Sequence, residues 1–170
     1  MDPLATLLAK DQIRDLSGRY MRGLDRRDGA LMAGVFWPEA TVDYGFFQGA
    51  AADFVGFAQE VLASHLANLH LIGQIAIDVE PDCAFGEVYY LAWHRILEAG
   101  EPQDLIIAGR YVDRYEPRAG VWKIAHRAEL IDWVRAEPAA DGFLARIPGA
   151  LIGGHGAADL SSQRERLRRA

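Results

Sequence analysis

A carboxylate and a histidine far apart in a chain can act as a general base if the fold brings them together, and His70 is a histidine that must find a partner. His70 lies in Asn-Leu-His-Leu-Ile-Gly, an imidazole in an alternating apolar run. Burying a ring nitrogen unpaired costs on the order of 1–3 kcal/mol, so a partner is required. Asp25 lies in Gly-Leu-Asp-Arg-Arg at the end of a helical pattern, where the helix dipole disfavours a carboxylate. If Asp25 accepts from one imidazole nitrogen, the tautomer is fixed and the other nitrogen is free to take a proton. From the helix alone the alternative is a carboxylate paired with Arg26, Arg27 or a following backbone amide.

Other polar side chains fall where a half-open sheet and its covering helix would aim inward. Tyr20 precedes Asp25 on the same helix. Strand parity puts His94 on one face with Val88, Tyr90 and Ala92, and Tyr111 with Gly109 and Asp113. Arg127 shares a face with Ala125 and Ile131, an expensive position unless an anionic partner or ligand answers it. Taken singly, His94, Tyr111 and Arg127 are better explained as satisfied core or exposed polar groups. His65, His126 and His155 have weaker settings and are set aside. Glycine-rich phosphate loops, zinc spacings and nucleophile elbows do not occur.

The elements that must position these residues follow from periodicity. Ile13, Leu16, Tyr20 and Leu24 recur every three or four residues, which predicts an amphipathic helix from Asp11, its N-cap, to about Arg27. A short helix over Ala30–Phe36, closed by Pro38, comes next. Ala40–Tyr44 reads as a strand with a short return at Phe46–Gly49. A third helix from Ala51 to about Leu66 places Phe54, Phe57, Val61 and Leu62 on one stripe. Four long strands, 68–80, 86–97, 104–116 and 120–134, are separated by turn residues such as Pro81-Asp82. In the first of them the odd positions from Leu69 to Val79 form a greasy face and the even positions carry His70. The expectation is an α+β fold, with three N-terminal helices on a curved, mostly antiparallel sheet. Residues 1–137 form the domain. Residues 138–170 are an extension packing on the domain or a subunit interface, ending in a charged, solvated helix or frayed tail.

At 170 residues, 51% hydrophobic and 25% charged, the chain can bury one sizeable core. Its net charge of -6 argues against nucleic-acid or anionic-membrane partners. One cysteine, Cys83, excludes an internal disulfide and any cysteine-based metal site, which fits a reducing, cytoplasmic setting. No basic segment followed by an apolar stretch opens the chain, and no run of apolar residues is long enough to span a bilayer. The apolar side chains Tyr89, Leu91 and Trp93 on one strand, with Trp122 or Trp133 nearby, predict a homo-oligomer.

Over roughly residues 8–135 the order of elements resembles the SnoaL-like branch of the nuclear transport factor 2-like superfamily, within it the dehydratase and dehydrochlorinase group. Gly-Leu-Asp25-Arg-Arg is similar to the segment with that group's catalytic aspartate, and Asn-Leu-His70-Leu-Ile-Gly to the strand with its catalytic histidine. Arg127 falls where the hexachlorocyclohexane dehydrochlorinases keep an active-site arginine. Tyr20 has the spacing of the bile acid 7α-dehydratases, where the dehydrochlorinases have lysine. Tyr44 and His94 resemble the tyrosine and second histidine of the scytalone dehydratases, whose serine and asparagine on the next strand appear here as Gly109 and Tyr111. The resemblance implies a cone-shaped α+β barrel of the cystatin-like type and a homotrimer more than a dimer. It implies a lyase of carbon-oxygen or carbon-halide bonds acting on a small hydrophobic cyclic or polyketide-like molecule, with no metal and no organic cofactor. His70, Asp25, Tyr20, His94 and Arg127 would then be catalytic, and Tyr44, Tyr111, Tyr90 and Phe54 would bind substrate. Isomerisation or cyclisation by the same base, and a non-catalytic binding or assembly role, are the competing readings.

Overall fold

The computed structural model describes residues 2–140 and 142–168. The chain runs α1 (Pro3–Asp25), α2 (Gly29–Ala33), β1 (Phe36–Asp43), β2 (Gln48–Ala50), α3 (Ala51–Ala63), β3 (Ala67–Val79), β4 (Ala84–Glu98), β5 (Glu101–Arg118) and β6 (Val121–Pro138). Three short 3₁₀ turns and a one-turn helix, α4 (Arg164–Leu167), follow. The six strands form one sheet in the order β2-β1-β6-β5-β4-β3, antiparallel throughout except for β1 against β6. This is the expected α+β class, but the sheet is open: β2 and β3 are its two edges, so the described strands do not close into a barrel.

Several boundaries move for identifiable reasons. Helix α1 begins at Pro3, not Asp11, because Asp2 caps it by accepting from the Ala5 amide at 3.2 Å and Pro3 takes a first-turn position that needs no N–H donor. Pro38 does not terminate a helix. It lies inside β1, whose register against β6 shifts between Phe36 and Thr41, as a residue without an N–H requires. Helix α3 stops at Ala63, and Ser64 turns the chain toward β3.

Helix α1 packs on one face of the sheet, against β3 and β6. Its Ile13, Leu16, Tyr20 and Leu24 are buried, each contributing about 1.5–3 kcal/mol. The largest departure from simple alternation is in β3. Ile72 pairs with Tyr90 and Ile75 with Val88, so Gly73 and Gln74 together oppose the single residue Tyr89. This bulge reverses the inward face halfway along the strand. Before it, Asn68 and His70 point inward while Leu69 and Leu71 are exposed; after it, Ile77 is buried. The greasy face predicted for all odd positions therefore belongs to the interior only in the second half. The outer sheet surface carries Leu69, Leu71, Tyr89, Leu91 and Trp133, whereas Trp122 is buried, with its backbone amide toward the Gln12 side chain.

Candidate active site

Asp25 is the last residue of α1, and its carboxylate is turned toward β3, away from the following arginines. Its Oδ1 accepts from His70 Nδ1 at 2.7 Å and from Asn68 Nδ2 at 3.0 Å, and its Oδ2 from the His70 backbone N–H at 3.2 Å. Three donors from one strand end hold the carboxylate in place of the arginine pairing that the helix alone allowed. Arg26 instead reaches Asp159 at 3.4 Å. With Nδ1 committed to Asp25, His70 Nε2 has no hydrogen-bond partner among the described residues.

Asn68 extends the chain of contacts outward. Its Oδ1 faces His155 Nε2 at 3.1 Å, so His155, Asn68, Asp25 and His70 are linked in sequence. His155 arrives from the extension beyond β6, which is fastened to the end of α1: the Gly156 amide donates to the Arg26 carbonyl at 2.7 Å. Buried Asp159, next to Arg26, accepts from the Gly154 and Ser161 amides. The Ser161 side chain and these two amides hold its carboxyl far below the usual carboxylate range.

His70 opens onto a cavity of about 280 Å³ between α1, α3 and the sheet. Its walls are mostly apolar: Leu24, Phe46, Phe54, Phe57, Val61 and Leu62 from the helical side, and Leu105, Ile107 and Ile131 from the strands. Tyr20, Tyr44, Tyr111, His65, His94 and Glu129 supply the other polar groups. The Tyr20 and Tyr44 hydroxyls are 2.7 Å apart, and Tyr44 stacks on Phe54 at 3.9 Å. Burial raises the Tyr20, Tyr44 and Tyr111 phenols above their ordinary range, keeping them as neutral hydroxyls. His94 lies edge-on to His70, ring centres 5.0 Å apart, with its Nδ1 3.2 Å from His65 Nδ1. Burial, and after it the neighbouring His70 and His65, push His94 down to about 3, so it is a neutral imidazole at any ordinary pH.

Two of the sequence candidates occupy different places from those expected. Arg127 is fully buried behind the cavity wall, its Nε and Nη2 donating to Asp113 Oδ1 and Oδ2 at 2.8 and 2.7 Å. Its guanidinium lies under the rings of Tyr20 and Tyr111, at 4.2 and 4.0 Å. The anionic partner that parity demanded is thus Asp113, one strand over in direct register. Tyr90 is stacked against Tyr111 at 4.7 Å, outside the cavity lining, and donates its hydroxyl to Glu129 Oε1 at 2.8 Å. One residue, Glu129, was missed, and two, His65 and His155, were set aside. Glu129 had a signal, being two residues beyond Arg127 and of the same parity; His65 sits in a turn and His155 in an aperiodic segment, where no period marks a face.

A family description, SnoaL-like domain, matches residues 5–128. No curated protein matches the chain. Among solved structures, a type 2 hexachlorocyclohexane dehydrochlorinase is similar with 24% identity and a TM-score of 0.73, over 86% of this chain and 99% of that one. A scytalone dehydratase candidate from Novosphingobium aromaticivorans shares 23% identity with a TM-score of 0.70, over 80% and 92% of the two chains. A Mycobacterium tuberculosis protein of unknown function shares 21% with a TM-score of 0.66, over 99% of this chain and 95% of its own.

Proposed function

The chain belongs to the SnoaL-like domain family, and we propose that it is a cofactor-independent lyase in which His70 is the general base and Asp25 its orienter. The observation that carries this reading is the 2.7 Å contact between His70 Nδ1 and Asp25, with Nε2 left open to an apolar cavity. A base so held can take a proton from carbon beside a carbonyl, and the carboxylate stabilises the imidazolium that forms. Tyr20, Tyr44 and His94 are neutral donors placed to stabilise a developing oxyanion. The structural relatives named for loss of hydrogen chloride and of water support elimination. The cavity volume suits a small ring compound with few polar groups.

Arg127 contributes indirectly in this reading, by fixing the tyrosines from behind. Residues 1–137 form the catalytic domain, the later residues brace Asp25, and the exposed outer sheet face packs against further copies of this chain in a homotrimer. Light scattering that returned a monomer at micromolar concentration would remove the trimer. The function itself is tested by offering cyclic β-hydroxy and β-chloro ketones and following enone formation. Turnover abolished in His70→Ala is the expected result. Turnover at the parental rate in that variant would overturn the assignment, and double-bond movement without release of water or halide would make the protein an isomerase.

A further inference from the structure

Among the described residues Glu129 is the only acidic one lining the cavity, and the sheet is built to hold it there. It stands on β6 directly across from Tyr111 on β5, facing the interior. Tyr90, two strands away, reaches it by passing its ring under position 109, where the residue is Gly. A Cβ there would lie 2.9 Å from the Tyr90 hydroxyl and 2.3 Å from the Leu130 carbonyl oxygen, so any side chain would push Tyr90 off the glutamate. One carboxyl oxygen, Oε1, takes the Tyr90 hydrogen bond; Oε2 has no partner among the described residues. An apolar cavity wall is an expensive place for a carboxylate unless its charge, or its proton, is used.

We propose that Glu129 is the proton donor to the leaving group, so that the reaction is dehydration of a cyclic β-hydroxy carbonyl compound. This rests on the reading of His70 as base. Chloride leaves as a stable anion, but hydroxide is a poor leaving group and needs a proton as its bond to carbon breaks. The other polar groups of the wall are ill suited to give one: the phenols hold their protons too tightly and His65 and His94 are neutral imidazoles. A carboxyl raised by burial suits that task, and burial does raise Glu129, against the opposing pull of the Tyr90 hydrogen bond, Arg127 and His70.

The step balances with these two groups. His70 Nε2 takes the proton from the carbon beside the carbonyl, and that bonding pair becomes the new carbon-carbon π bond. The bond from the β-carbon to oxygen breaks toward oxygen, which receives the Glu129 proton and leaves as water. The products are the enone, water, a His70 imidazolium and a Glu129 carboxylate. Return of the proton from imidazolium to carboxylate through water resets the site.

The test uses β-hydroxycyclohexanone and β-hydroxytetralone with their β-chloro counterparts, and Glu129→Gln, which keeps the shape and the acceptor for Tyr90. Loss of a positioned acid should lower turnover of the hydroxy ketones by about 10²–10⁴-fold and that of the chloro ketones by only a few-fold. Equal losses on both leaving groups, or none on either, overturn the proposal. Infrared difference spectra of wild type against Glu129→Gln read the proton directly, with or without a substrate. A protonated carboxyl band at neutral pH, missing in the variant, is expected; an ionised Glu129 at neutral pH overturns the proposal. If Glu129→Gln does not fold, Glu129→Asp carries the band assignment by its shift. These outcomes are separable from failure of the base: a His70→Ala variant that retained activity would leave the infrared band and the leaving-group contrast intact.

Discussion

Asp25–His70 and Asp113–Arg127 are both carboxylates paired with a nitrogen base in one interior, but they occupy opposite positions in the sheet. Asp25–His70 joins the end of α1 to the edge strand β3 and leaves a ring nitrogen open to the cavity. Asp113–Arg127 joins β5 to β6 at full burial, with two parallel hydrogen bonds, the Tyr115 hydroxyl on the same carboxylate and two tyrosine rings over the guanidinium. Each pair leaves a nitrogen without a hydrogen-bond partner among the described residues, His70 Nε2 at the cavity and Arg127 Nη1 in the interior, and the lesson is in what that nitrogen can do. A guanidinium cannot give up its proton and is here enclosed, so it can only position and polarise; an imidazole with one nitrogen engaged has the other to work with. Residue type alone would have ranked the two pairs equally.

The comparison can be broken with one substitution in each pair. His70→Ala should cost about 10²–10⁴-fold in turnover and about 1.5–3 kcal/mol in stability, because Asp25 loses one charge-assisted donor but keeps the Asn68 amide and the residue 70 backbone N–H. Arg127→Met should behave in the opposite sense. It leaves the Asp113 charge buried and uncompensated, and should cost about 3–5 kcal/mol in urea unfolding. If His70→Ala unfolded the protein while Arg127→Met remained stable, the division into a working pair and a structural pair would be reversed. Asp25→Asn sharpens the point: an amide can favour the wrong imidazole tautomer and cannot stabilise an imidazolium, so turnover should fall strongly while thermal midpoints move little.

How much of this was legible in the sequence depended on whether a regular period carried it. Asp25 and His70 were legible in part: Leu16, Tyr20 and Leu24 oriented α1 and the need for a partner marked His70. Alternation, however, gave the interior to Leu69 and Leu71, on the face opposite His70, and the pairing with Asp25 came with the family resemblance. The partner of Arg127 was also within reach, because parity put Asp113 on the inward face of the neighbouring strand. The bulge at Gly73 and Gln74 was not legible: strict alternation continues through it, and only pairing against Tyr89 reveals that two residues oppose one. His155 was not legible for a different reason. It reaches Asn68 from a non-repetitive segment through contacts of long sequence separation, which leave no local pattern.

Acid should separate the two pairs more gently, through the histidines beside the open one. An unfolded chain protonates His94 below about pH 6.5, whereas in the fold that imidazole takes a proton only near 3. The folded state therefore binds fewer protons between those values, so this contribution is complete above the unfolded value and is lost progressively as pH falls through the window. His65, lowered mainly by burial, acts in the same direction. Urea midpoints of the wild type should drop on acidification through that range, and His94→Gln should flatten the drop. A slope unchanged by His94→Gln would show that the imidazole is solvated in the folded protein.

The smallest expected effect tests whether the brace beyond the open pair matters to it. His155→Ala removes one hydrogen bond, from His155 to the Asn68 carboxamide oxygen, whose amide nitrogen serves Asp25. The segment itself should stay in place, because the Gly156 amide to the Arg26 carbonyl and the Asp159 cluster hold it without His155. Thermal stability should therefore change by no more than about 0.5–1.5 kcal/mol, the net worth of one hydrogen bond. Freed at one end, the Asn68 carboxamide can turn, and Asp25 then loses one of its three donors while keeping both His70 contacts. Turnover should fall by roughly the same free energy, about two- to tenfold, with the Michaelis constant unchanged because no wall of the cavity has moved. Asn68→Ala should lower turnover further than His155→Ala, and the double variant should match Asn68→Ala alone, since His155 acts only through that side chain. Additive losses in the double variant would place His155 in contact with the site by another route and dismantle the relay.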